Sequence, residues 1–372
     1  MCMKKFLDSN NLPIILFIFL AWRIFLFMSQ ALSESLSIIH KAYIGPVPIA
    51  NFDGIHYLSI AKIGYQQYEQ VFFPFFPFSI NIISSIFKIN YLESGIFISH
   101  LFVILSLYFL WKLVNLDFNK KIANVTLLFF LFFPTSFFLG NIYSESLFLF
   151  FVFSSFYFAR KKNFIVSSIM GAFASATRVV GIFMFPALLF EALLYNRQMN
   201  KNINKINPAI YILIVPVGIL VYMYYLLKKY SDPLIFVHSQ AVFTGRTGGQ
   251  IILLPQVIWR YIKIFLTVPF SNYDYWISLL EFFSFAFIIL ILYLSYKSGI
   301  RKSYIIFSSL AIIFPTLSGT FQSIPRYLIA SFVVFIFFSK IKNKVIKYSL
   351  LAVGCVLEGL LAALFYRGYF VG

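Results

Sequence analysis

Phe72-Phe73-Pro74-Phe75-Phe76-Pro77-Phe78, running on apolar to Phe87, is the stretch on which the topology turns. Read as a membrane span, it reverses the sidedness of everything that follows. Read as a segment that lies at the interface or re-enters, it leaves every later basic cluster on the side of Lys4 and Lys5. Those clusters are Lys112/Lys120/Lys121, Arg160/Lys161/Lys162, Arg197/Lys201/Lys205, Lys297/Arg301/Lys302 and Lys340/Lys342/Lys344/Lys347. With the first pair they hold more than half of the 30 Lys and Arg. Lys and Arg concentrate in cytoplasmic loops, so residues 71–88 are read as non-spanning.

Composition agrees with a chain made mostly of spans. Of 372 residues, 61% are hydrophobic and 11% charged, against about a quarter charged in a soluble domain. The fold class expected is an all-α polytopic membrane protein, a single domain over 1–372. Apolar runs predict about eleven spans, near 12–32, 93–115, 122–140, 143–159, 163–179, 181–195, 208–229, 275–296, 303–319, 326–340 and 346–366. The run from Leu12 to Leu32 is too long for a secretory h-region and reads as a retained first span. The N-terminus is then cytoplasmic and the C-terminus outside. Two large outer loops follow, 33–92 and 230–274, the second with an interfacial stretch from Ile251 to Phe270.

The net charge of +18 is a topology signal and implies no nucleic-acid partner. Cys2 and Cys355 lie at opposite ends and form no framework. His40, His56, His100 and His238 are dispersed, so no metal site and no cofactor are expected. Phosphate-binding and dinucleotide fingerprints are absent, which argues against ATP-driven transport. No internal repeat is visible. Abundant Ile, Lys, Asn and Phe suggest a prokaryotic plasma-membrane protein.

Polar groups in such a chain need explanation. Asn51-Phe52-Asp53-Gly54-Ile55-His56-Tyr57-Leu58-Ser59-Ile60-Ala61-Lys62-Ile63-Gly64-Tyr65 is a polar island just beyond the first span. Helical spacing sets His56, Tyr57 and Ile60 on or near the face of Asp53. Asp53 reads either as a reactive carboxylate or as the cap of an interfacial helix. Glu34, Glu69, Glu93, Glu145, Asp232 and Asp274 also fall outside. Of these, Glu34, Glu69, Glu93 and Asp274 read as ordinary loop residues. Arg23 and Arg178 stand within or near the ends of spans, where a charge is costly and points to function, snorkelling or pairing. Glu358 lies mid-span with no assigned role.

Six motifs together resemble the PIG-V-like mannosyltransferases. Asn51-Phe52-Asp53-Gly54-Ile55-His56-Tyr57 with Ile60-Ala61 and Gly64-Tyr65 is similar to W-D-G-x-H-Y-x-x-I-A-x-x-G-Y, with Phe52 in the place of Trp. Phe73-Pro74-Phe75-Phe76-Pro77 resembles F-F-P-x-x-P. Pro134-Thr135-Ser136 followed by Tyr143-Ser144-Glu145-Ser146-Leu147-Phe148 resembles P-x-S and Y-S-E-S-L-F. Thr177-Arg178-Val179-Val180-Gly181 is similar to T-R-x-x-G. Asp232-Pro233-Leu234-Ile235-Phe236 through Gln240 resembles a D-P-L-x-F-x-x-x-Q loop, and Pro325-Arg326-Tyr327 a late P-R-Y. Order and spacing agree over about residues 50–330.

The resemblance implies a GT-C glycosyltransferase fold with interfacial helices in the first outer loop. It implies transfer of a hexose, typically mannose, from a polyprenyl-phosphate donor to a lipid-linked or other glycan acceptor on the non-cytoplasmic face, in contact with membrane lipids. The residues fit that chemistry. Displacing phosphate from an anomeric carbon needs a base for the acceptor hydroxyl and cations for the leaving phosphate. Asp53 is the base expected. Arg326 is the phosphate ligand, with Arg178 second and Arg246 a third candidate. His56, Tyr57, Tyr143, Glu145, Asp232, His238 and Gln240 are candidates for binding substrate. The rival class is a lipid or sugar-lipid transporter, which would line a cavity with the same charges but would favour paired repeats.

Overall fold

The computed structural model describes residues 11–35, 45–198, 207–244 and 246–372, so Cys2, Lys4, Lys5, His40, Lys201 and Lys205 lie outside the described residues. The principal helices are α1 (Leu12–Glu34), α2 (Asp53–Ile63), α3 (Phe75–Phe87), α4 (Tyr91–Asp117), α5 (Lys120–Leu131), α6 (Glu145–Arg160), α7 (Phe164–Thr177) and α8 (Met184–Gln198). They continue with α9 (Val217–Tyr230), α10 (Leu254–Thr267), α11 (Tyr273–Lys297), α12 (Lys302–Thr316), α13 (Val333–Lys340) and α14 (Lys344–Tyr366). No strand occurs among the described residues.

Helix starts follow from asparagine. The side chains of Asn90, Asn119, Asn163, Asn272 and Asn343 each accept a backbone N–H in the first turn of α4, α5, α7, α11 and α14, satisfying donors that a helix end leaves orphaned. At α4, Glu93 completes a capping box, which gives this acid a structural role.

Among the described residues, six apolar segments are long enough to cross a bilayer: Leu12–Glu34, Tyr91–Asp117, Val179–Arg197, Ala209–Tyr230, Tyr273–Lys297 and Lys344–Tyr366. The chain is an integral membrane protein. These six segments do not confirm the expected count of about eleven spans. The stretch 122–140 forms α5, which ends at Leu131, and then a 3-10 turn over Ser136–Gly140. The stretch 326–340 is broken into Ile324–Tyr327, Leu328–Ala330 and α13. Pro134 marks the first break, since proline removes a donor and clashes with the preceding turn. Residues 75–87 form a 13-residue helix, below the roughly 20 that a perpendicular crossing needs.

The core is aromatic. Phe130, Phe148 and Phe153 are fully buried, and Phe153 meets Phe332 edge-on at 5.4 Å. Small residues set the closest helix approach: a Cβ on Gly218 of α9 would lie 2.0 Å from the Ala172 carbonyl of α7.

The basic turns gather at one end of the bundle. Arg160 bonds Asp117 there (Nε–Oδ1 2.9 Å). Arg301 binds Glu191 (Nη2–Oε2 2.6 Å) and Lys340 Nζ donates to the Ser298 carbonyl (2.7 Å). The polar island and the turn carrying Arg326 lie at the opposite end of these helices.

Candidate active site

Asp53 is aimed by the residues before it. Asn51 is fully buried. Its Nδ2 donates to the Phe365 carbonyl (2.9 Å), its Oδ1 accepts from Gly45 N (2.8 Å), and Tyr143 OH donates to its carbonyl (3.0 Å). Phe52 takes φ 55°, ψ −115°, a region that bulky residues rarely enter. Asp53 is the first residue of α2, and the helix has no side-chain cap. The cap reading of Asp53 therefore does not hold. Its carboxylate turns instead to Arg326, whose Nη1 donates to Oδ2 at 2.7 Å.

From there a chain of opposite charges runs inward. Arg326 Nε lies 3.4 Å from Glu145 Oε1, and Arg178 Nη1 lies 2.5 Å from the same oxygen. Arg178 also donates to Ser144 Oγ (3.2 Å), which in turn bonds Tyr57 OH (3.0 Å). The Asp53 side chain is 24% exposed, against 8% for Arg326 and 5% for Glu145. Asp53 is thus the accessible end of a buried network. Glu145 Oε2 and Arg326 Nε have no hydrogen-bond partner among the described residues.

Three guanidiniums surround Tyr327. Arg178, Arg326 and Arg246 lie 5.4, 5.9 and 6.0 Å from its ring centroid, within the range of cation–π attraction. Arg246 donates to the Gln322 carbonyl (3.0 Å), to Gln240 Oε1 (3.3 Å) and, more weakly, to Tyr327 OH (3.5 Å). No carboxylate among the described residues lies within 4.0 Å of it. Around Tyr327 the cations exceed their carboxylate partners, which favours an anion.

The tertiary structure thus gathers Asp53, Tyr57, Tyr143, Glu145, Arg178 and Arg326, and it brings in Gln240 through Arg246. His56 bonds Glu69 through Nδ1 (3.0 Å) and stacks its ring on Phe72 at 4.9 Å. Asp232 and His238 pair with each other (2.7 Å), and Asp232 also accepts from Leu234 N. These hydrogen bonds join them to neither Asp53 nor Arg326.

Sequence reasoning missed Ser144, Tyr327 and Glu69. The first two stood inside the motifs that supplied Glu145 and Arg326. Glu69 read as a loop acid but is buried at 5% exposure, and no local periodicity links it to His56. Arg326 does not begin a long helix. It sits in the four-residue turn Ile324–Tyr327, so a helix dipole contributes little there.

Beside this network lies an apolar cavity of about 640 Å³ between α3, α7 and α9. Tyr65, Phe75, Phe173, Tyr222 and Tyr225 help to line it, and Ala176 of its wall precedes Arg178 by two residues. No group of three or more His, Cys, Asp or Glu able to hold a metal occurs among the described residues.

The family described as Mannosyltransferase (PIG-V) matches residues 28–309. The chain belongs to this family. The match includes Asp53, Glu145, Arg178 and Arg246, and it ends before Arg326 and Tyr327. No curated protein matches the chain.

Among solved structures, the PIG-V family chain is similar to ArnT from Cupriavidus metallidurans bound to undecaprenyl phosphate. The identity is 13% and the TM-score 0.54, over 94% of this chain and 63% of that one. It is also similar to the Archaeoglobus fulgidus oligosaccharyltransferase in the apo form, at 13% identity and TM-score 0.45, over 96% of this chain and 56% of that one. The chain therefore spans about half to two thirds of the length of the structures it matches. The fold is that of GT-C glycosyltransferases.

Proposed function

We propose that the protein transfers a hexose, mannose by its family, from a polyprenyl-phosphate donor to a lipid-linked or other glycan acceptor on the non-cytoplasmic face. The observation that carries this reading is the Asp53–Arg326 pair, at the open end of a buried acid–arginine network beside an apolar cavity.

In the reaction the acceptor oxygen bonds the anomeric carbon as the carbon–phosphate-oxygen bond breaks. The acceptor proton goes to the Asp53 carboxylate, and the bond pair leaves on the polyprenyl phosphate. Asp53 is exposed enough to meet an acceptor hydroxyl. Arg326 and Arg178 hold the donor phosphate, with Arg246 at the same tyrosine available to share it. The donor's phosphodiester anion competes for Arg326 and frees Asp53 for its base role, and the second negative charge that develops on the leaving phosphate strengthens that contact. The polyprenyl chain lies in the apolar cavity, whose wall reaches within two residues of Arg178. The solved ArnT structure, whose fold this chain resembles, holds undecaprenyl phosphate. Tyr57, Tyr143, Glu145 and Gln240 line the polar side, while His56, Asp232 and His238 meet the acceptor farther out.

The basic turns at the opposite end support a cytoplasmic setting for that end, and on this reading the site faces outside. The test is to incubate purified protein with polyprenyl-phosphate hexoses and native lipid extract, followed by mass spectrometry. A lipid gaining one hexose with release of polyprenyl phosphate is the expected result. Donor that moves across vesicles without forming a new bond would instead identify a transporter.

A further inference from the structure

The segment after α14 returns to the polar island. Phe365, the last buried phenylalanine of α14, meets Phe52 at 5.6 Å between ring centroids, and its carbonyl accepts from Asn51 Nδ2 at 2.9 Å. Phe370 meets the other edge of Phe52 at 5.5 Å, nearly perpendicular. Val371 is fully buried. Ser323 Oγ donates to the main-chain oxygen of Gly372 (3.3 Å). A Cβ built on Gly372 would lie 2.7 Å from the Phe138 ring and 3.3 Å from the Arg326 Cβ. Tyr273 OH of α11 fixes the segment from behind by donating to the Phe370 carbonyl (2.8 Å).

One short segment therefore touches the residue before Asp53 and the residue that binds Asp53. Phe52 holds a positive φ, a conformation that persists only where its surroundings impose it. Ser323, three residues ahead of Arg326, also has a positive φ, at 67°. Both members of the Asp53–Arg326 pair follow a strained turn, and residues 365–372 cover both turns.

We propose that residues 365–372 are a positioning strap for the reaction, and that Phe370 holds the strained Phe52 turn so that Asp53 meets Arg326 and the acceptor at the required angle. Phe370 touches no reacting atom and acts through Phe52. The role rests on the glycosyl-transfer reading for its effect on rate, though not for its effect on the turn. It adds to the family match, which stops at residue 309.

The test compares full-length Phe370→Ala and Phe370→Leu with the parent protein by amide hydrogen exchange and by transfer from polyprenyl-phosphate mannose. The amides of Gly54 and Ile55, which donate to Asn51 O and Phe52 O, report the turn without any substrate. In Phe370→Ala their exchange is expected to rise by about tenfold while α4 and α6 stay as protected as in the parent. Turnover falls by about tenfold to a hundredfold with donor KM within about twofold, as expected for misplacement without lost binding. Phe370→Leu, which still fills the contact, recovers most of both. Unchanged exchange at residues 51–56 overturns the strap, and so does a rise spread evenly over all helices. Absence of transfer in the parent protein overturns the glycosyl-transfer reading alone, because the exchange measurement still decides the strap.

Discussion

Arg326 Nη1 donates to Asp53 Oδ2 at 2.7 Å, between residues 273 positions apart. The same guanidinium reaches Glu145 on its Nε side at 3.4 Å. A planar fork can serve two carboxylates in different directions, which an ammonium at the end of a flexible stem cannot do with the same geometry.

Replacing Arg326 tests that geometry. Arg326→Lys keeps the charge and loses the fork, so donor use is expected to weaken partly. Arg326→Ala leaves Glu145 with Arg178 at 2.5 Å and unpairs Asp53, whose side chain is 24% exposed, so transfer is expected to be lost while the stability cost stays below the roughly 3–5 kcal/mol of a fully unpaired buried charge. Thermal unfolding in detergent and a donor titration measure the two effects. Wild-type donor affinity in a folded Arg326→Ala protein would move the phosphate to Arg178 or Arg246.

Asp53→Asn should fold and still bind donor, because the amide preserves size and a hydrogen-bonding oxygen for Arg326. It cannot accept the acceptor proton, so transfer is expected to fall by about 10²–10⁴-fold. Single-turnover assays on the purified variant check this, and near-normal turnover would leave Asp53 a structural partner of Arg326.

Glu358 has a structural role that its sequence position concealed. It is fully buried in α14 and accepts from Trp22 Nε1 of α1 at 2.9 Å. Glu358→Gln keeps an acceptor and is expected to change stability little. Glu358→Leu strands the indole N–H at a cost of about 1–3 kcal/mol, and adding Trp22→Phe should recover most of it. Melting curves of the two single variants and the double variant form the test.

Gly181 stands where the chain turns back after Arg178. A Cβ there would lie 2.3 Å from the Ala174 carbonyl, a backbone contact with no side chain to yield. Gly181→Ala is therefore expected to displace Arg178 from Glu145, with loss of both thermal stability and transfer. Equal activity and melting temperature would show that the turn absorbs the shift.

Sidedness can be read with single cysteines in a Cys-free background at Gln67 and Lys161, both exposed. An impermeant maleimide applied from outside is expected to label position 67 and to spare position 161. Labelling of both would return residues 75–87 to the status of a span.

Length and hydropathy in the sequence were enough to establish the all-helical membrane class, because a segment in lipid must satisfy its own backbone and only long apolar helices do so alone. Motif spacing also marked Asp53, Glu145, Arg178 and Arg326 as a set. Helix lengths were less legible: α5 and α13 are short, with the 3-10 turns Ser136–Gly140 after one and Leu328–Ala330 before the other, and such turns are invisible to a hydropathy window. Pairing was not legible at all. That Arg326 binds Asp53, that Glu69 holds His56, that Glu358 holds Trp22, and that Phe370 presses on Phe52 are contacts between segments distant in the chain or joined by irregular loops. Only the packed bundle brings them within reach, since side-chain partners there are chosen by which helix ends meet and not by any period along the sequence.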